Sequence, residues 1–374
     1  MFNNFSIVFI ILGSIPFIAY IKYLNGDKRI FLNDLQIKTF FKIIIFSILL
    51  MFIYLSIKNQ SLFQINLREI VKHMPKSAHP MDVARTVVSV MGLEDKDTSN
   101  NSPVANIRKA IRIFAKTPTA LAAFFRARKG KNVIPPKKGL GFSENFFYMC
   151  FGKIPSKEII KTFDISLILY AEHSFNVSTF TARTITSSLS DIHGAITGAI
   201  ASLKGPLHGG ANEEVMHMMN KIKKPENALK WINNALKNKE VVMGFGHRVY
   251  KNYDPRAAVM KKSAHEVLEE LNKSDDPLLK VALELESIAL KDAYFIEKKL
   301  YPNVDFYSGL VYRKLGIPRD VFTPVFAISR VAGWLAHWRE QLGANRIFRP
   351  SQIYTGASDR SWVPAEDRVS SKES

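Results

Sequence analysis

Three short segments carry side chains suited to acid–base chemistry, each set among residues that let a ligand come close. The first is Lys204-Gly205-Pro206-Leu207-His208-Gly209-Gly210-Ala211-Asn212-Glu213. Glycines beside His208 leave no Cβ to crowd the imidazole or the nearby backbone N–H groups. A helix is predicted to open near Asn212. Its unpaired N–H groups and dipole disfavour imidazolium there, so a neutral ring can donate one hydrogen bond to a carbonyl oxygen. The second segment is Met243-Gly244-Phe245-Gly246-His247-Arg248-Val249-Tyr250-Lys251-Asn252-Tyr253-Asp254-Pro255-Arg256, in which His247 again follows glycines and Arg256 opens the next helix. The third, Pro302-Asn303-Val304-Asp305-Phe306-Tyr307-Ser308-Gly309, sets one carboxylate among apolar and aromatic neighbours. Burial there raises a carboxyl pKa and makes it a stronger base.

Two rival chemistries fit these residues poorly. No His-Glu-x-x-His run, cysteine partner or i, i+4 histidine pair supplies metal-ligand spacing, so no metal is expected. Gly244-Phe245-Gly246 fails the G-x-G-x-x-G spacing of a dinucleotide loop, and no strand–helix unit frames it.

The elements around the three segments read as helices. Apolar-periodic stretches run over 81–91, 104–125, 156–172, 179–203, 213–223, 228–237, 256–271, 277–298 and 324–341. Pro80 and Asp82 mark the start of the first. Gly, Pro and Asn breaks separate them, with few strand-like alternations, so the fold class is mainly α. Beyond residue 63 there is no 20–50 residue repeat and no low-complexity tract.

Of 374 residues, 47% are apolar and 23% charged, a globular balance with room for one large domain or two ordinary ones. The net charge of +19 is spread along the chain. Its densest run, Arg126-Ala127-Arg128-Lys129-Gly130-Lys131, has no interleaved aromatics, so it reads as a solvated loop and not as a nucleic-acid surface. Cys150 is the sole cysteine; no internal disulfide is possible, and the expected setting is a reducing, cytoplasmic one.

Residues 1–63 differ from the rest. Phe and Ile supply 23 of the first 60 residues, and Glu is absent. Apolar runs at 5–21 and 40–57 are each near the ~17–25 residues needed to span a bilayer. No basic residue precedes the first run and no small-residue cleavage site follows it, which disfavours a signal peptide. Two readings stay open: a membrane hairpin formed by residues 5–57, or a shifted reading frame in A/T-rich sequence.

The three segments, in this order, resemble the signature of the citrate synthase family, which includes 2-methylcitrate synthases. Tyr170-Ala171-Glu172-His173-Ser174-Phe175-Asn176-Val177-Ser178-Thr179-Phe180-Thr181-Ala182-Arg183 is also similar to that family. So are Phe322-Thr323-Pro324 through Ser329-Arg330, Gly333-Trp334-Leu335-Ala336-His337-Trp338 and Arg349-Pro350. The resemblance runs from about residue 67 to the C-terminus. Residues 1–60 do not share it.

The resemblance implies a two-domain helical fold, with a large domain of 64–212 and 316–374 and a smaller one of 213–315. It implies condensation of acetyl-CoA with oxaloacetate, then thioester hydrolysis to citrate and CoA. Asp305 matches the family's base, His208 the donor to the thioester oxygen and His247 the donor to the ketone. His173, Arg256, Arg330 and Arg349 match oxaloacetate contacts, the last reaching the site from the neighbouring subunit of a homodimer. Val241, Val242, Met243, Gly244 and Phe245 would lie along CoA. No bound cofactor or metal is implied; acetyl-CoA, or propionyl-CoA in the alternative 2-methylcitrate reading, is a co-substrate. Val304 and Ile353-Tyr354-Thr355-Gly356 resemble citrate-forming members, whereas the Tyr170 run is closer to methylcitrate-forming ones. A third alternative is an inactive relative, membrane-anchored or truncated. The other histidines, among them His337 between two tryptophans, are assigned to surface, cap or core.

Overall fold

The computed structural model describes residues 70–271 and 275–368. The apolar runs at 5–21 and 40–57 lie outside the described residues. Among the described residues no helix is long and apolar enough to cross a membrane.

The framework is helical. Its first half comprises α1 (Pro80–Glu94), α2 (Pro103–Ala127), α3 (Phe142–Phe151), α4 (Lys157–Ala171), α5 (Val177–Ser187) and α6 (Ile192–Leu203). Then come α7 (Ala211–Ile222), α8 (Ala228–Lys237), α9 (Pro255–Glu270), α10 (Pro277–Ala289), α11 (Ala293–Glu297), α12 (Val304–Lys314) and α13 (Phe322–Gly343). Starts are written in the sequence: Pro occupies the first turn of α1, α2, α9 and α10, where its missing N–H costs nothing. Asn176, Asp191, Asp254 and Asn303 cap α5, α6, α9 and α12 by accepting backbone N–H bonds.

Helix α13 is the axis. From Phe322 to Trp338 every side chain is buried, as expected of a helix apolar all round. It packs against α2, α4, α5 and α6, while α12 packs against α7 and α9. Among the described residues there is no strand, only one isolated antiparallel bridge between Phe245 and Pro302.

Four details depart from the sequence expectation. The stretch 179–203 is two helices, because Leu189 adopts φ 64° and Asp191 restarts the chain by capping Gly194. Likewise 277–298 breaks before Asp292, which caps α11 through the N–H groups of Tyr294 and Phe295. Helix α3 was not expected; its aromatic run starts where the Glu144 carboxylate accepts the Gly141 N–H. Nor was α12, which puts Asp305 on the first turn of a helix.

Candidate active site

Asp305 is held by its helix and by one distant phenol. Asn303 accepts the Asp305 N–H at 3.0 Å, fixing the start of α12. Tyr170, fully buried on α4, donates its hydroxyl to Asp305 Oδ1 at 2.7 Å and lies 2.8 Å from Ser308 Oγ. Burial pushes the Asp305 carboxyl up to about 6, against the Tyr170 bond and the Arg256 and Arg330 charges that favour the carboxylate.

His208 sits in the tight turn before α7. Its Nε2 lies 2.8 Å from Ser178 Oγ and accepts the Ser178 N–H at 3.4 Å, so the proton belongs on Nδ1. Trp334 of α13 donates to the same Ser178 hydroxyl at 3.1 Å. Burial, then the charge of Arg330, lowers the His208 pKa to about 4. Burial is thus the first cause of the neutral ring, which sits three residues before the start of α7. Phe326 neighbours both this ring and the phenol bonded to Asp305, with centroids 6.4 Å from His208 and 4.1 Å from Tyr170.

His247 has the opposite tautomer. Its Nδ1 accepts from the N–H groups of Val249 and Tyr250 at 3.1 and 3.3 Å, so Nε2 carries the proton. Arg256 Nη2 lies 3.4 Å from that Nε2. Two N–H donors aimed into one space suit a shared oxygen of a ligand. Burial and Arg256 lower the His247 pKa.

The remaining candidates divide. His173 stands edge-on to His247 at 5.0 Å, with Nε2 3.2 Å from the Tyr250 hydroxyl; burial lowers its pKa to about 2. Arg256 forms a two-point pair with Asp254, 1% exposed, through Nε at 3.1 Å and Nη2 at 2.9 Å. Arg330 is 2% exposed, and among the described residues no carboxylate pairs with it; its Nε donates to the Tyr170 carbonyl at 2.6 Å. Burial lowers its pKa to about 10. A buried guanidinium without a counter-ion is costly unless an anion joins it. Arg349 is exposed on the stretch after α13, and no hydrogen bond or ion pair among the described residues links it to the other candidates.

In the 241–245 segment Val241 is exposed, Val242 and Phe245 are buried and Met243 is half-buried. Gly244 adopts φ 85°, and a Cβ there would lie 2.8 Å from Val215 and 2.9 Å from Phe306. The bare Cα serves packing within the chain. Among the described residues no group of three His, Cys, Asp or Glu side chains is placed to hold a metal ion.

A family model described as "Citrate synthase, C-terminal domain" matches residues 54–351. The chain belongs to the citrate synthase family. It is 45% identical over 304 residues to a citrate synthase of Synechocystis sp., covering 81% of this chain and 76% of that one. To the 2-methylcitrate synthase 2 of Corynebacterium glutamicum it is 47% identical, covering 80% and 78%. The solved ternary complex of a Thermoplasma acidophilum citrate synthase with carboxymethyl coenzyme A and oxaloacetate superposes with a TM-score of 0.78 at 31% identity, covering 84% of this chain and 83% of that one. Family members are acyl-transferring enzymes, and the helical fold is theirs.

Sequence reasoning missed Asp254, Ser178 and Phe326 as partners of the site. Asp254 had a local signal, since Asp before Pro is a helix-start pair. Ser178 and Phe326 act through contacts that close only in the fold.

Proposed function

We propose that this chain condenses acetyl-CoA with oxaloacetate and hydrolyses the resulting thioester to citrate and CoA. The observation that carries this is a pair of imidazoles held neutral by burial and fixed in opposite tautomers, together with the half-buried Asp305 carboxyl bonded to Tyr170. Asp305 takes a proton from the carbon next to the thioester carbonyl. His208 Nδ1–H donates to the thioester oxygen as negative charge develops there. The carbon then attacks the oxaloacetate ketone, whose oxygen takes the proton of His247 Nε2. Arg330, without a carboxylate of its own, and Arg256 receive the substrate carboxylates, and His173 adds a further contact. The segment 241–245 lies along CoA.

The active unit is a homodimer, and Arg349 completes the site of a second copy. Support comes from the exposure of Arg349 and of its neighbours Ile347, Ile353, Tyr354 and Trp362, apolar groups one chain leaves uncovered. Residues 213–315 form a smaller domain closing on 64–212 and 316–374, which excludes water during condensation. The buried, free Cys150 fits a reducing cytoplasm.

The decisive experiment follows thioester loss by purified protein with oxaloacetate, comparing acetyl-CoA with propionyl-CoA. The two differ by one methylene, worth about 0.8 kcal/mol, and such pockets discriminate by only ~10–200-fold. Acetyl-CoA is expected to be preferred, with measurable propionyl-CoA turnover. A kcat/KM favouring propionyl-CoA tenfold or more would make the chain a 2-methylcitrate synthase. No turnover with either thioester would overturn the condensation itself.

A further inference from the structure

Helix α13 meets the chain just before His173 at three successive points. Arg330, Gly333 and His337 lie at i, i+3 and i+7, on one face of the helix. Arg330 Nε holds the Tyr170 carbonyl at 2.6 Å. Gly333 faces the next residue: a Cβ there would lie 2.4 Å from the Ala171 carbonyl oxygen and 3.3 Å from Glu172 Cα. His337, 1% exposed, bonds through Nε2 to Glu172 Oε1 at 3.1 Å. One rigid face thus grips residues 170, 171 and 172 in turn, and the next residue is His173.

The grip matters because nothing regular holds this stretch. Helix α4 ends at Ala171, Glu172 is extended at φ −150°, and Ser174 turns at φ 52°. A histidine between a helix end and a left-handed turn takes its direction from what fixes its neighbours. The other ring nitrogen of His337 is itself held: Arg183 of α5 lies 3.1 Å from Nδ1 and pairs with Glu340 at 2.5 Å. Nδ1 also lies 3.6 Å from Glu340 Oε2, and against burial the Glu172 and Glu340 carboxylates hold the ring's pKa above its ordinary value, so Nε2 carries a proton that Glu172 accepts.

We propose that His337 is a positioning residue: through Glu172 it fixes His173 against His247, and so sets the affinity for the keto acid. Glu172 also places a negative charge beside the otherwise unpaired Arg330. The inference rests on the assignment of His173 to oxaloacetate made above.

Two substitutions separate this role from a general structural one. His337→Asn is too short to reach Glu172, whereas His337→Gln can set an amide N–H near the position of Nε2–H. His337→Asn should raise the KM for oxaloacetate by about tenfold while the KM for acetyl-CoA stays near its wild-type value, since a lost hydrogen bond to a charged group costs about 1.5–3 kcal/mol. His337→Gln should recover most of that loss. Glu172→Ala should reproduce the Asn phenotype, and the double variant should be no worse than either single one. If His337→Asn does not fold, Glu172→Ala decides alone by the same KM ratio. An unchanged oxaloacetate KM, an equal rise for both substrates, or additive defects would overturn the proposal. Failure of wild-type protein to consume thioester with oxaloacetate would instead sink the underlying functional reading.

Discussion

Helix α13 and the stretch after it, residues 344–368, each carry an arginine suited to a carboxylate, and they treat it in opposite ways. Arg330 is 2% exposed, wedged between the Tyr170 carbonyl and the Phe326 ring, 4.7 Å below its guanidinium. Arg349 stands in an extended, exposed run with Ile353 and Trp362, 90% and 78% exposed. The first is preorganised by its own chain. The second is exposed, and among the described residues no hydrogen bond or ion pair holds it. Burial separates an arginine fixed by its own chain from one that is not.

The sharpest test of this contrast uses the largest expected effect. Asp305→Asn should lower kcat by ~10²–10⁴, the contribution of a positioned general base, while leaving the fold intact. Near-wild-type turnover would remove Asp305 from that role. Mixed with Arg349→Ala chains by co-expression, the inactive Asp305→Asn protein should regain about a quarter of wild-type activity if one copy lends its arginine to the other, as a shared two-fold site requires. No recovery would mean that Arg349 serves its own chain or none.

A smaller effect separates the two arginines directly. Arg330→Met keeps most of the volume but removes a buried charge that meets the substrate, and kcat/KM for oxaloacetate should fall by roughly 10²-fold or more, in line with about 2–5 kcal/mol for such truncations. Arg349→Ala should leave the melting temperature of the chain nearly unchanged, since exposed substitutions stay within about ±0.5 kcal/mol. A large thermal loss for Arg349→Ala, measured by circular dichroism, would show that the tail is integral to the fold.

The smallest effect is a displacement on the pH axis. Only the carboxylate form of Asp305 accepts a proton, so kcat/KM for acetyl-CoA should fall as pH drops through about 6. Tyr170→Phe deletes a hydrogen bond that favours the carboxylate, so the acid limb should move to higher pH. An unmoved limb would mean that another group controls it.

Much of the site could be read from the chain because its groups sit in glycine-rich or aromatic segments unlike ordinary helix. The segments that hold His208, His247, Asp305 and Arg256 stood out in that way, whereas the roles of these residues and of His173 came from the family resemblance. The fold class followed from 3.6-residue periodicity, but periodicity cannot see a break that keeps the apolar phase. That is why 179–203 read as one helix despite Leu189 and the Asp191 cap. Helix α12 escaped because Phe306-Tyr307-Ser308-Gly309 offers little helix propensity, and its tertiary packing overrides that. The bond from Tyr170 to Asp305 spans 135 positions, and no local pattern encodes it.

The bridge between Phe245 and Pro302 has a mechanical side. Gly246 N–H donates to the Tyr301 carbonyl at 2.7 Å, Asn303 N–H donates to the Gly244 carbonyl at 2.9 Å, and the Asn303 amide reaches the Gly246 carbonyl at 3.0 Å. Asp254, the partner of Arg256, also accepts the Val304 N–H at 3.2 Å. His247, Arg256 and Asp305 are thus bolted to one bracket, although 58 positions separate the first from the last. That bracket fixes the spacing between the proposed proton donor and the proposed proton acceptor through bonds that each involve the backbone itself.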